Sequence, residues 1–157
     1  MSGRATRIRN SAKAIIIEKG KILVMRARDT EGDWYLLPGG GQEPTESLED
    51  TLNRECIEEV NVHIEIGPLR FIREYFSSNH EFAAIDHDAH QIEFMFVCKL
   101  REGEVPSIGS VPDKDQSGIE WIELKQLEKY RLYPLTMRKH FMDIENKLIA
   151  VYLGDIN

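Results

Sequence analysis

The chain has 157 residues, 41% apolar and 30% charged, with a formal charge of −7 at pH 7, which is enough for one domain with its own core. Two distant cysteines, Cys56 and Cys98, exclude a zinc ribbon or disulfide framework and read as reduced thiols. The acidic balance argues against a nucleic-acid polymer as partner, and no run approaches the roughly 20 apolar residues of a membrane span.

Residues 1–10, with Arg4, Arg7 and Arg9, read as a flexible N-terminal arm on a single domain spanning 1–157. No signal-peptide core precedes Ala14, so the expected location is the cytoplasm. Ala12 to Glu18 and Lys21 to Arg28 are β-rich runs around Lys19-Gly20, a hairpin signal. Trp34 to Leu37 is a short strand stopped by Pro38, and a glycine-rich loop follows. The pattern then predicts a helix from about Glu46 to Val60, with Thr45 as N-cap and Asn61 as the left-handed residue at its end. Val62 to Ile66 and Leu69 to Phe76 read as strands broken by Gly67-Pro68. Ser77 to His90 is a polar loop, Gln91 to Leu100 a strong strand, Arg101 to Ser117 a second long loop and Gly118 to Leu124 a last firm strand. A helical turn over Leu124 to Tyr130, a helix over Pro134 to Leu148 with Pro134 at its first position, and a segment over Ile149 to Leu153 that is either a short closing strand or an extension of that helix follow. That order predicts an α/β fold with a mixed sheet between helices, and the two long loops are the natural places for binding.

The helix over 46–60 carries an anomaly. At about 100° per residue, Leu48, Leu52 and Cys56 form an apolar seam, and Glu55 and Glu59 project beside it, with Glu58 about 60° from Glu55. A surface helix normally keeps carboxylates on the opposite face. Carboxylates that repel one another near a core need a positive partner; Arg54 serves in part, and a hard divalent cation such as Mg²⁺ or Mn²⁺, held with a substrate phosphate, suits oxygen ligands. A merely acid-rich solvent face is the alternative at this point.

The spacing decides between them. Gly40, five residues, Glu46, seven residues, then Arg54-Glu55-Cys56-Ile57-Glu58-Glu59, one residue and Asn61-Val62 resembles the Nudix hydrolase signature Gly-x5-Glu-x7-Arg-Glu-U-x-Glu-Glu-x-Gly-U, with U aliphatic. The lead-in Trp34 to Gly40 and Glu43-Pro44 also look like the family's. Cys56 stands at an aliphatic position, Asn61 replaces the last glycine, and Thr45 occupies a place where many members carry Gly. No charged residue of the signature is lost.

The resemblance implies an α/β/α sandwich around a central mixed sheet, and hydrolysis of a nucleoside diphosphate linked to another moiety. Carried onto this chain, it makes Glu55, Glu58 and Glu59, with the Gly39 carbonyl, the ligands of Mg²⁺, with Mn²⁺ as substitute. Arg54 orients the glutamates, Glu46 organises the loop, and Gly40 lets the loop pack against the helix. For the general base the candidates are a motif glutamate, Glu81 with His80, His87 and His90, or Glu102, Glu104, Asp113 and Asp115. His87-Asp88-Ala89-His90 fits no standard metal spacing. Trp34, Tyr75, His87 and His90 are the candidate substrate contacts, with Tyr35 a further aromatic and Glu93 open between cleft and solvent.

Family substrate markers are thin. Phe76 stands where a proline suggests ADP-ribose, and Ser78 where a tyrosine suggests diadenosine polyphosphates. A nucleoside triphosphate or an ADP-ribose-like diphosphate is the expected pair, with a lean to the latter from the long loop before Gln91. Two other classes stand beside this: a Nudix-fold module that binds a nucleotide metabolite without cleaving it, and an isomerase of the isopentenyl diphosphate type, for which Cys98 is poorly placed. A homodimer is the default expectation.

Overall fold

The computed structural model describes residues 7–80 and 88–157. Strand β1 (Ile8–Glu18) turns into β2 (Lys21–Asp29) through Lys19 and Gly20, both left-handed at φ 50° and 75°, which matches the strand twist. β2 is flanked by β3 (Gly32–Leu36) and by β7 (Gln116–Glu123), both antiparallel, and β3 pairs parallel with the two-residue β8 (Leu132–Tyr133) on its outer side. On β1, β4 (Gly39–Gly41) pairs antiparallel and β6 (His90–Leu100) pairs parallel. β5 (Ile64–Phe76) then pairs antiparallel with β6, and β9 (Tyr152–Asp155) lies parallel to β5. The sheet is mixed, as expected.

Its two faces are buried by different elements. Helix α1 (Leu48–Val60) seals one face with Leu52, Cys56 and Val60 against Ala12, Ala14, Ile16, Leu23 and Cys98. The other face packs Ile15, Val24, Phe71, Met95 and Ile122 against Leu127, Met137 and Phe141, the last from α2 (Arg138–Met142). The alternation of β1 explains this: Ala14 and Ile16 point to one core and Ile15 to the other.

Several expectations are corrected. The glycine-rich loop is a strand, β4, because Gly39 to Gly41 find backbone partners on β1. The cap of α1 is Ser47, whose hydroxyl accepts from Asp50 N (3.0 Å) while the Asp50 carboxylate accepts from Ser47 N (2.9 Å). Thr45 has φ 71°, a left-handed backbone, so it cannot serve as the extended cap residue. Asn61 ends the helix at φ 55° as expected. The runs either side of Gly67-Pro68 are one strand with shifts of register, not two. The long second helix is only a 3₁₀ turn (Leu135–Met137) and the five-residue α2, since the following residues break into turns from Asp143 onward. The described part of the expected arm is strand from Ile8.

Candidate active site

Helix α1 buries one acid completely. Glu59 is 1% exposed, and its Oε1 accepts a hydrogen bond from Gly39 N at 2.9 Å. Gly39 makes this possible: its φ is 135°, and a Cβ there would stand 2.1 Å from the Ala12 carbonyl oxygen. The second oxygen of Glu59, Oε2, is buried with no hydrogen-bond partner among the described residues, an arrangement that costs free energy unless a ligand completes it. Burial pushes the carboxyl up, Lys13 and the Gly39 N–H pull it back, and Glu55 and Asp113 add to the rise, leaving it at about 8.

The other two helix glutamates are gathered by Arg54. Its guanidinium bonds Glu46 through Nε and Nη2 (3.1 and 3.0 Å), reaches Glu55 at 2.9 Å and Glu58 at 3.4 Å, and donates to the Gly41 carbonyl at 3.0 Å. One planar fork thus joins β4, the loop before α1 and the helix itself. These hydrogen bonds hold Arg54 well above its ordinary range, Glu46 foremost, and hold Glu46 below its own. Glu55 packs on Gly40, where a Cβ would stand 2.6 Å from Glu55 Oε1. Among the described residues no three His, Cys, Asp or Glu side chains stand close enough together to grip a metal ion; Arg54 and the Gly39 N–H hold the three carboxylates apart. The donor set is nonetheless all hard oxygen, and the orphaned Glu59 Oε2 is a free ligand atom, so the residues fit Mg²⁺ or Mn²⁺. The Gly39 carbonyl already accepts from Lys13 Nζ at 3.1 Å and retains one lone pair.

The long segment after β6 is tied to the end of α1. Ser107, Gly109 and Val111 donate their N–H groups to the carbonyls of Val60 (3.0 Å), Glu59 (3.1 Å) and Glu58 (3.2 Å), and Gln116 Nε2 donates to Glu59 O at 3.0 Å. These are carbonyls of the last turn, which lack helical partners. The tether brings Asp113 to a cavity of about 250 Å³ that it lines with Glu55, Gly39, Lys13, Ser11 and Glu93. Glu104 instead meets His63 at 2.8 Å.

Gln91 lines both this cavity and a larger one of about 450 Å³, walled by Trp34, Tyr75, Tyr133, Arg28, Arg73 and Arg131 among others. Trp34 and Tyr133 meet edge to face at 6.2 Å, whereas Tyr35 is core. Tyr75 stacks on His80 at 5.3 Å. Glu93 faces the cleft and is buried: burial pushes it up, but Arg73, at 2.7 Å, and Lys13 outweigh this and leave it below its usual range. His90 lies on the other face of β6, bonded to Glu74 at 3.0 Å and packed on Phe76. His87 and Glu81 lie outside the described residues. The sequence reading missed Ser11, Lys13, Arg73 and Tyr133 as cleft residues; only Lys13, a lone charge in the apolar run Ala12 to Ile17, gave a signal.

A family model for the NUDIX domain matches residues 7–143. The mouse protein named nucleoside diphosphate-linked moiety X motif 6 is 30% identical over 142 residues, covering 88% of this chain and 42% of the mouse protein, so the chain spans about two fifths of that relative. The fold is similar to an ADP-ribose pyrophosphatase of Streptococcus suis 89-1591 (TM-score 0.61, 18% identity, 94% of this chain and 98% of that one). It is also similar to a UDP-X diphosphatase (TM-score 0.69, 18% identity, 98% and 70%).

Proposed function

Because the chain belongs to the Nudix family, we propose that it hydrolyses a diphosphate linkage in a nucleoside diphosphate derivative, ADP-ribose-like or a nucleoside triphosphate. Mg²⁺ is the cofactor in this reading, with Mn²⁺ as substitute. The observation that carries it is Glu59, a fully buried carboxylate with one oxygen held by Gly39 N–H and the other orphaned. Evolution rarely leaves such a group buried without a use.

Glu55, Glu58, Glu59 and the Gly39 carbonyl would hold the cation. When bound, it offsets charge on the phosphate oxygens and lowers the pKa of the attacking water. Arg54 keeps Glu55 and Glu58 in place from its anchor on Glu46. Water adds to phosphorus, the bond from phosphorus to its bridging oxygen breaks, and the water proton passes to a carboxylate. We assign that proton to Asp113, which lines the same cavity and has no ion-pair partner among the described residues. Trp34, Tyr75 and Tyr133 supply aromatic surface for the base in the larger cavity. Two free buried thiols support a reducing, cytoplasmic setting.

Similarity to proteins named ADP-ribose pyrophosphatase and UDP-X diphosphatase supports a nucleoside diphosphate derivative as the substrate class. The alternative, a module that binds without cleaving, is less well supported because Glu55, Glu58 and Glu59 are all retained. The test is phosphate release from ADP-ribose, UDP-sugars and nucleoside triphosphates, coupled to a phosphatase or pyrophosphatase, with Mg²⁺, Mn²⁺ or chelator. Selective turnover abolished by chelator is expected. Binding of these ligands in thermal shifts without any turnover would instead favour the silent module.

A further inference from the structure

Three cavities are linked in series by shared lining residues. The aromatic cavity shares Gln91 with the central one beside Glu55. The central one shares Arg9 with a third, of about 690 Å³, lined by Arg7, Arg9, Gln42, Pro44, Thr45 and Glu46 among others. A ligand with its base in the first and its scissile linkage in the second therefore sends its far end toward Arg9.

The chemistry of that end is set by β1. Arg7, Arg9, Ser11 and Lys13 alternate onto one side of the strand. The other cavity arginines are already held by carboxylates: Arg28 by Asp33, Arg73 by Glu93 and Arg131 by Asp29. Arg7 and Arg9 have no ion pair among the described residues. The Arg9 guanidinium lies over Gly41, where a Cβ would meet its Nη2 at 2.2 Å, so the missing side chain is what lets it reach the cavity. Ser11 is 3% exposed, and its Oγ, although near enough to Glu93 to favour the ionised carboxylate, makes no aligned hydrogen bond among the described residues. Lys13 Nζ completes the row at the Gly39 carbonyl. Of the acids lining the same two cavities, Glu46 and Glu55 are neutralised by Arg54 and Glu93 by Arg73, while the exposed Glu43 and, from the loop, Asp113 have no ion pair among the described residues.

We propose that Arg9, Ser11 and Lys13 form a binding edge for the terminal phosphate of a nucleoside triphosphate. The chain therefore prefers triphosphates to sugar-capped diphosphates. This rests on the reading that the linkage is cleaved beside Glu59. A charge-assisted fork, a hydroxyl donor and an ammonium match the oxygens of a terminal phosphate. The neutral sugar of ADP-ribose would leave Arg9 as it stands, without an ion-pair partner among the described residues.

The test is calorimetric titration, with Mg²⁺ present, of a methylene-bridged, uncleavable nucleoside triphosphate and of ADP-ribose. The proteins are the wild type, Arg9→Gln, Arg9→Lys and Ser11→Ala, each checked for an unchanged unfolding curve. Arg9→Gln should weaken the triphosphate about tenfold and ADP-ribose by less than about twofold, and Arg9→Lys should recover part of the loss. Ser11→Ala should weaken the triphosphate by a smaller factor. Equal triphosphate affinity in wild type and Arg9→Gln, tighter wild-type binding of ADP-ribose, or binding of neither ligand overturns the subsite and leaves the hydrolase reading to its own assay. Arg9-dependent triphosphate binding without turnover does the reverse: the subsite stands and the hydrolase reading fails.

Discussion

Gly39 and Glu59 are joined by a single 2.9 Å hydrogen bond from the strand amide to the buried carboxylate. The bond ties β4 to α1 and engages one Glu59 oxygen, while the second stays buried with no hydrogen-bond partner among the described residues. Glu59→Gln keeps an acceptor for Gly39 but removes the charge. Turnover at saturating substrate should fall about 10²–10³-fold while the fold is retained, measured by steady-state phosphate release and circular dichroism. Intact metal-dependent turnover in this variant would refute the proposed ligand set.

The same acid makes the metal-free protein sensitive to pH. Its carboxyl rises from an ordinary 4.5 to about 8 in the folded state. Between those values the folded chain holds a proton that the unfolded chain has released, so stability falls as pH rises and levels off above about 8. In chelator, the wild-type Tm should drop from about pH 5 to about pH 8.5 by more than that of Glu59→Gln, which has no such proton. Parallel Tm profiles would show that Glu59 ionises normally.

Arg54 joins Glu46, Glu55 and Glu58 through one planar group. A lysine carries the charge but cannot make these bonds at once. Arg54→Lys should lower kcat about tenfold or more, with the Mg²⁺ concentration for half-activity raised. Kinetics across a Mg²⁺ titration, in which an unchanged half-activity point would argue against an orienting role, provide the check.

The loop over 101–115 reaches the cleft only because it is fastened to α1. A Cβ on Gly109 would stand 2.0 Å from the Glu58 carbonyl oxygen, so Gly109→Ala must lift the loop from the helix end and carry Asp113 away. A loss of about 1–3 kcal/mol in stability is expected from the overpacking, with kcat reduced in proportion to the misplacement of Asp113. Hydrogen exchange should report faster exchange at the Gly109 and Val111 amides; unchanged exchange with unchanged kcat would detach the loop from catalysis.

What could be read without coordinates was local. The β1–β2 hairpin, the helix over the motif, Asn61 as its left-handed end and the acids beside the apolar seam follow from spacing and from the conformations that Gly and Asn alone adopt easily. The motif spacing carried the family as well, since its charges sit one helical turn apart. The errors were also local in origin: Thr45 and Ser47 are both good caps by composition, and only the left-handed backbone of Thr45 settles the choice. Tertiary structure decided whatever depends on residues distant in sequence. It turned a glycine run into β4 by pairing it with β1, and it brought Asp113, and not Glu104, to the cleft by bonding a featureless loop to spare carbonyls of α1. It also set Glu93 inward against Arg73 and His90 outward against Glu74. A strand's alternation says that neighbouring residues face opposite ways; which way is inward is fixed only when another layer covers the sheet.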